Sequence, residues 1–527
     1  MSQDSIQIAK SASVISIATM VSRIFGLIRE QLIAVLFSRT ATDAFYVAFR
    51  IPNLLRDLFA EGAMSAAFIP TFTEYLKKRG YKEAWNLASA VFSLLAVVLS
   101  AISILGILFS NWLVARFAAN FQLVPGKYEL TVLLTQIMFP FLPMIALAAV
   151  AMGILNSQGS FFLPALSSAL FNVGSITVGV TLYFWLTHTG SEPIVGMAIG
   201  TLVGGCLQFL VQVPPLLKKG FVYTPRVSLA HPGVRRILLL MGPGTLGLAS
   251  TQINIFVNTW LATTQGEGPV SWLNYAFRLM QFPIGLFGVA IASATLPTVS
   301  ARVVSQENLE LRKTLSSALR MVFVINVPAS VGLMVLSHPI IALIYQHGRF
   351  KETDTVSTSN ALILYSVGLF AYSAVKVLVP AFYALGHSKL PVTISFVVVG
   401  LNIGMNLALI GPMGYRGLAL GTSFAAISNF ALLFIWLQKY CGSLDAAGMF
   451  QTLAKIALAS AVMGAGCYRF HLWLFEFRSA EVTVAWRAFV LTASITIGVA
   501  IFVLAGRLLR IPELDAALRI VRRKLKA

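Results

Sequence analysis

The chain has 527 residues, of which 57% are hydrophobic and only 11% charged, with a mean hydropathy of +0.81. A soluble protein carries about 25% charged residues, so the composition excludes a soluble globular chain and makes lipid its main solvent. The net charge of +20, from 39 Lys+Arg against 19 Asp+Glu, does not point to nucleic acid: the basic residues fall in short loops between apolar runs, with no basic stripe interleaved with exposed aromatics.

A bilayer core of about 30 Å needs roughly 20 apolar residues per helix. Fourteen such runs follow in chain order, at 9–36, 43–75, 85–115, 130–155, 161–187, 193–217, 233–263, 269–300, 313–346, 355–385, 390–410, 415–438, 449–472 and 484–507. The polar segment 1–10 lacks a small-residue cleavage site and the first run holds Arg23 and Arg29, so a retained helix is expected and not a signal peptide. Alternate loops are basic: Lys77, Lys78, Arg79 and Lys82, then Lys218, Lys219, Arg226, Arg235 and Arg236, then Arg302, Arg312 and Lys313, with a tail from Arg507 to Lys526. The intervening loops are poorer, with Arg39, Arg116, Lys127, Arg349, Lys351, Arg416 and the 469–487 segment. The positive-inside rule then places both termini in the cytoplasm.

The chain repeats itself. Gly196-Met-Ala-Ile-Gly-Thr201 recurs as Gly417-Leu-Ala-Leu-Gly-Thr422, Leu163-Pro164 as Leu390-Pro391, and Ala48-Phe49-Arg50 as Ala276-Phe277-Arg278. Collinear matches at a nearly constant offset indicate a duplicated unit. The expected fold is therefore all-α: a polytopic membrane protein of about fourteen transmembrane helices, in two pseudo-symmetric six-helix lobes plus two C-terminal helices. The expected domains are 1–220 (helices 1–6), 221–440 (helices 7–12) and 441–527 (helices 13–14 and a basic cytoplasmic tail). Parallel repeats of this kind suit rocking about a central cavity.

Seven basic residues are read as falling well inside the runs: Arg23, Arg29, Arg50, Arg56, Arg278, Arg320 and Lys376. A charge within the bilayer costs at least about 2.5–3.5 kcal/mol and marks function by default. Arg320 is close enough to a loop to snorkel, and Lys376 is left open between the two readings. Helices 1 and 2 also carry Glu30, Asp43, Asp57 and Glu61. Arg50, Asp57 and Glu61 share one helix face, so Arg50 and Asp57 are read either as a structural network or as part of a site. For Arg23, Arg29, Arg56 and Arg278 there are too few carboxylates to balance the charge, and helices 7–14 show no intramembrane carboxylate. Excess guanidinium calls for an anionic ligand, with phosphate or diphosphate suited to the Arg fork.

Cys206, Cys441 and Cys467 lie far apart, the six histidines lack ligand spacing, and no Gly-x-x-x-x-Gly-Lys-Ser/Thr loop occurs. No disulfide framework, metal site, cofactor or ATP-driven step is expected.

The run Ser22-Arg-Ile-Phe-Gly-Leu-Ile-Arg29-Glu30 resembles the first helix of the MurJ (MviN) lipid II flippases of the multidrug/oligosaccharidyl-lipid/polysaccharide exporter superfamily. Ala41-Thr-Asp43-Ala-Phe45, Pro52-Asn-Leu-Leu-Arg56, Phe59-Ala-Glu61-Gly-Ala63, Ala276-Phe-Arg278-Leu-Met280 and Tyr365-Ser-Val-Gly-Leu369 continue the likeness over nearly the whole chain. The resemblance implies a flippase, not an enzyme, in the bacterial plasma (inner) membrane. It would move undecaprenyl-diphosphate-linked peptidoglycan precursor (lipid II) to the outer leaflet by alternating access, for cell-wall synthesis, alongside other cell-wall synthesis proteins as partners. It further implies a cationic site of Arg23, Arg29, Arg56 and Arg278, with Asp43 and Glu61 as acidic gating partners. The resemblance also implies that helices 13–14 form a groove for the polyprenyl tail; from the residues themselves, Ser22, Glu30, Arg50, Asp57 and Gln281 are a candidate surrounding network, and Ala461, Gly464 and Gly466 are small residues that permit either close helix approach or a groove. Two departures stand out: Asp57 sits where relatives often have a base, and Gln281 where they can have an acid.

Three other readings compete. A flippase for another polyprenyl-diphosphate-linked saccharide fits the chemistry nearly as well. A membrane-embedded enzyme acting on such lipids would need a positioned acid, base or metal, and no large polar loop shapes such a site. A cationic-drug exporter would want a cavity of the opposite sign.

Overall fold

The computed structural model describes residues 3–58, 63–476, 483–516 and 518–519. Every regular element among them is helical. The chain divides into two compact units, Met1–Ser271 and Trp272–Ala527.

The first unit contains α1 (Gln3–Leu36), α2 (Arg39–Arg56), α3 (Ala63–Leu108), α4 (Ser110–Phe117), α5 (Lys127–Met138), α6 (Phe141–Ser157), α7 (Phe162–Thr189), α8 (Ile194–Leu210), α9 (Val213–Lys218) and α10 (Pro232–Thr263). Next comes α11 (Pro269–Pro283), which opens at the end of this unit. The second unit continues with α12 (Val289–Val304), α13 (Asn308–Val335), α14 (Ser337–Tyr345), α15 (Glu352–Ser366), α16 (Leu369–Ala384), α17 (Lys389–Met413), α18 (Tyr415–Cys441), α19 (Ala446–Glu476) and α20 (Val484–Leu508).

Among the described residues ten helical spans are long and apolar enough to cross a membrane, three of them joining two labelled helices (α5–α6, α8–α9 and α11–α12), or eleven if the pair α15–α16, bent by 44°, is one span. The count of fourteen spans is not reached among the described residues, and several of the expected runs are divided. Run 130–155 breaks at Phe139-Pro140 into α5 and α6, since proline removes a backbone donor and clashes with the preceding turn. Run 269–300 is divided by a π turn, Ile284–Gly288, placed directly after Pro283. The loop expected between the second and third runs is only a break at Gly80, whose φ of +81° falls where glycine is favoured.

Corresponding helices keep the sequence offset: α4 and α14 begin 227 residues apart, and so do α7 and α17. The repeated Gly-x-Ala-x-Gly-Thr motif has a packing cause. A Cβ on Gly200 would lie 2.6 Å from the Ser175 carbonyl of α7, and one on Gly417 would lie 2.6 Å from the Leu409 carbonyl of α17. In lipid, helices gain little from apolar burial against one another, so close backbone approach through small residues supplies the association. The motif fastens α8 to α7 and α18 to α17.

Each unit has its own apolar core. In the first, Phe68, Phe72, Leu87 and Val91 of α3 pack with Leu142, Val150 and Ile154 of α6. In the second, Leu315, Val322 and Phe323 of α13 pack with Leu378 and Phe382 of α16 and Leu433 of α18. Helix α19 seals onto this core. An added Cβ at Gly464 would come within 2.7 Å of Val331 on α13, and at Gly466 within 2.5 Å of Ile501 on α20. At these two glycines the helices approach closely, the first of the two readings that their small size allows.

Candidate functional site

The intramembrane charges of the first unit are arranged in three layers along α1 and α2. Arg23 is exposed, and the backbone carbonyl of its neighbour Ser22 accepts a bond from Asn172 Nδ2 of α7 at 3.2 Å. One and a half turns on, Arg29 and Glu30 are buried together, with Arg29 Nη2 3.1 Å from Glu30 Oε1. The Arg29 guanidinium lies 5.2 Å from the Phe171 ring centroid, a cation–π contact, and Tyr46 donates to the other Glu30 oxygen.

On α2, Arg50 is half-buried. Arg56 and Asp57 form a pair at 2.7 and 3.0 Å from Nη2 and Nε to the same carboxylate oxygen. The second oxygen of Asp57 accepts from Gln252 Nε2 of α10 at 3.1 Å and Asn53 Nδ2 at 3.4 Å. The base-to-acid departure at Asp57 thus holds Arg56 through its immediate neighbour. Glu61, with the rest of 59–62, lies outside the described residues.

The third layer is a joint the sequence showed only in half. Asp43 is fully buried, and so is Lys127, a residue that the hydropathy pattern places in a loop. Lys127 opens α5 directly after Gly126, and its Nζ lies 2.9 Å from Asp43 Oδ2 and 4.0 Å from the Phe121 ring. The same carboxylate accepts from Gly268 N–H at 2.6 Å, from Ser271 N–H at 3.0 Å and from the Ser271 hydroxyl at 2.6 Å. Gly268 has φ +103°, a backbone conformation that favours glycine and that turns its N–H onto Asp43. A buried carboxylate is tolerable when paired and fully hydrogen-bonded, and Asp43 meets both conditions. It pins the 264–271 turn to the start of α2.

In the second unit Arg278 is half-buried on α11 and Gln281 is exposed. That unit also contains a buried carboxylate, just outside the runs expected for helices 7–14. Asp354, in the first turn of α15, accepts from the Trp272 indole N–H at 2.8 Å and from Lys351 N–H at 2.9 Å. It lay one residue before the expected start of its run, where its role as a helix cap hides it among loop charges. Arg320 does not merely snorkel: it pairs with Asp445 and, at 3.3 Å, with Glu513. Lys376 is exposed. Among the described residues no cluster of His, Cys, Asp and Glu could hold a metal ion.

The comparisons agree with this architecture. The family model described as lipid II flippase MurJ matches residues 32–485. A lipid II flippase MurJ of Burkholderia cenocepacia is 38% identical over 80% of this chain and 82% of its own length. A MurJ protein of Vibrio cholerae is 35% identical over 97% of this chain and 98% of its own. Among solved structures, lipid II flippase MurJ in an inward closed conformation aligns with a TM-score of 0.77 and 28% identity, over 94% of this chain and 98% of that one. An inward-facing multidrug MATE transporter aligns with a TM-score of 0.69 at 17% identity, over 82% and 98%, a likeness of fold alone. With the match running through α1, α2 and α11 and across both units, the chain belongs to the MurJ family of lipid II flippases.

Proposed function

We propose that this chain flips undecaprenyl-diphosphate-linked peptidoglycan precursor, lipid II, from the cytoplasmic to the outer leaflet of a bacterial inner membrane by alternating access. The observation that carries the reading is a family match over nearly the whole chain, joined to guanidinium groups on α1, α2 and α11. The proposed ligands of the anionic headgroup are Arg23, Arg29 and Arg56 of the first unit and Arg278 of the second. Arg is suited to a diphosphate because its planar fork binds two oxygens at once. Glu30 and Asp57 each neutralise one guanidinium and fix its direction. Ser22, Arg50 and Gln281 are the proposed surrounding network, and both termini are cytoplasmic in this reading.

Asp43 is the proposed gate residue. The turn it holds follows α10, on the side of the membrane where α1 ends and α2 begins. Under the loop-charge orientation this is the outer face, so the joint closes the exit while substrate enters from inside. Glu61 is proposed as a second acidic partner.

Arg278→Ala tests the assignment. The variant should insert normally, because its helix becomes more apolar, yet fail to sustain growth of a flippase-depleted bacterium. Normal growth with the variant present in the membrane would remove Arg278 from the mechanism. The reading as a flippase for a different polyprenyl-diphosphate saccharide is tested by the same strain: rescue of another lipid-linked glycan, without cell-wall synthesis, would favour it.

A further inference from the structure

The first unit contains a cavity that the headgroup chemistry does not use. Helix α10 lies along α3, but toward the C-terminal ends of both helices they part. A space of about 750 Å³ opens there, lined by Ile51 and Leu55 of α2, Ile102 and Leu105 of α3, Trp112 of α4 and Phe256 of α10. The floor is made by Phe139, which lies so close over Gly106 that a Cβ there would fall 2.1 Å from its ring. A second cavity of about 370 Å³ shares Ile51, Trp112 and Phe256 and extends the groove to Arg116 and Trp260.

The second unit offers an internal comparison. There α19 follows α18 and lies against α13, and the two meet at Gly464 with Val331 and Val335 in contact range. The first unit departs from that sealed arrangement and leaves a groove whose wall reaches the surface: Leu105 is 53% exposed and Trp112 59%. Its volume is that of a ligand site, about 300–1,000 Å³, but its lining offers water no set of polar partners. An alkyl chain is what such a surface accepts.

The rim decides which alkyl chain. Arg116, in the last turn of α4, is exposed and makes no ion pair among the described residues. Trp112 and Trp260 flank it, and tryptophan prefers the headgroup level of a bilayer. A single guanidinium suits one phosphodiester, whereas a diphosphate would call for several. We infer that the groove binds a membrane phospholipid with an anionic headgroup, one acyl chain lying between α3 and α10 and the phosphate beside Arg116.

The test uses the full-length protein purified in detergent, with native mass spectrometry after titration with phosphatidylglycerol, phosphatidylcholine or undecaprenyl phosphate. The wild-type chain should retain phosphatidylglycerol over phosphatidylcholine. Leu105→Trp fills the groove, and because each excluded methylene weakens binding about fourfold, retention of both phospholipids should fall about tenfold or more. Arg116→Gln should abolish the preference for the anionic lipid while keeping chain binding. Val97→Trp, exposed on the same helix but outside the groove, should behave as wild type. Ile102→Phe provides a milder filling variant if Leu105→Trp does not fold. Filling variants that retain phosphatidylglycerol as well as Val97→Trp does would overturn the site. Loss of undecaprenyl phosphate alone from those variants would overturn the occupant in favour of an isoprenyl chain.

Discussion

The joint between Asp43 and Lys127 is expected to behave as a coupled pair whose two single mutants are unequal. Asp43→Ala strips a fully buried ammonium of its counter-charge. An unpaired buried charge of this kind costs about 3–5 kcal/mol. Lys127→Met is milder, because Asp43 keeps the Gly268 and Ser271 donors and methionine fills much of the lysine slot beside Phe121. Losing one bond to a charged group there costs about 1.5–3 kcal/mol. The double variant removes both charges, so it should be less destabilised than Asp43→Ala alone, with a coupling of at least about 1.5 kcal/mol. Unfolding of the purified variants in one detergent, followed by a structural probe, measures the cycle. Single effects that add to within about 0.5 kcal/mol would refute the pair as an energetic unit.

Two further outcomes follow from packing and protonation. Gly464→Ala should lower the unfolding midpoint through overpacking against Val331, at a cost of about 1–3 kcal/mol. Gly400→Ala in α17, where an added Cβ meets nothing within 4 Å, should be neutral or stabilising; equal effects of the two would refute the contact. His231 caps α10 by accepting from Gly233 N–H at 3.1 Å, and burial pushes its pKa below the usual 6.5, with nearby Arg226 and Arg79 adding to the shift against Glu83. A lowered folded-state pKa means its contribution is complete above about pH 6.5 and is lost as pH falls from there through the folded value. His231→Asn keeps a capping acceptor without titrating, so its unfolding midpoint should fall less than the wild type's on moving from about pH 7.5 to 5; parallel losses would refute the cap.

What the sequence disclosed depended on the kind of signal. Apolar runs located the helices because their length is set by the bilayer, yet the pattern could not see breaks such as Phe139-Pro140 or Pro283, which leave the run equally apolar. The Gly-x-Ala-x-Gly-Thr repeat was visible as a duplication, while its physical cause, contact of Gly200 and Gly417 with neighbouring backbone, needed the partner helix. Charges were legible when they interrupted an apolar run, as Arg29 and Asp43 do. Lys127 and Asp354 escaped because each sits in the first turn of a helix, where a loop charge and a buried partner look alike. Their shared place was available as a signal: both open the helix that follows the short α4 or α14.

That shared place also explains why the first unit needs a lysine. The second unit ties α11 to α15 through a neutral indole donor and a capping carboxylate. The first ties α2 to α5 through an ion pair and uses the rest of the same carboxylate to hold the 264–271 turn. On the proposed gating role, that turn must come away from Asp43 in each cycle. If Asp43 were held by the turn alone, release would strand a bare carboxylate in the protein interior, a cost of several kcal/mol. With Lys127 fixed on α5, release leaves a paired carboxylate and forfeits only three hydrogen bonds, which water entering an opening gate replaces. The lysine therefore lowers the barrier to opening as well as stabilising the closed joint. Lys127→Met should for that reason slow transport more than its modest loss of stability would suggest. A flipping rate that falls only in proportion to the amount of folded protein would remove the lysine from the gate.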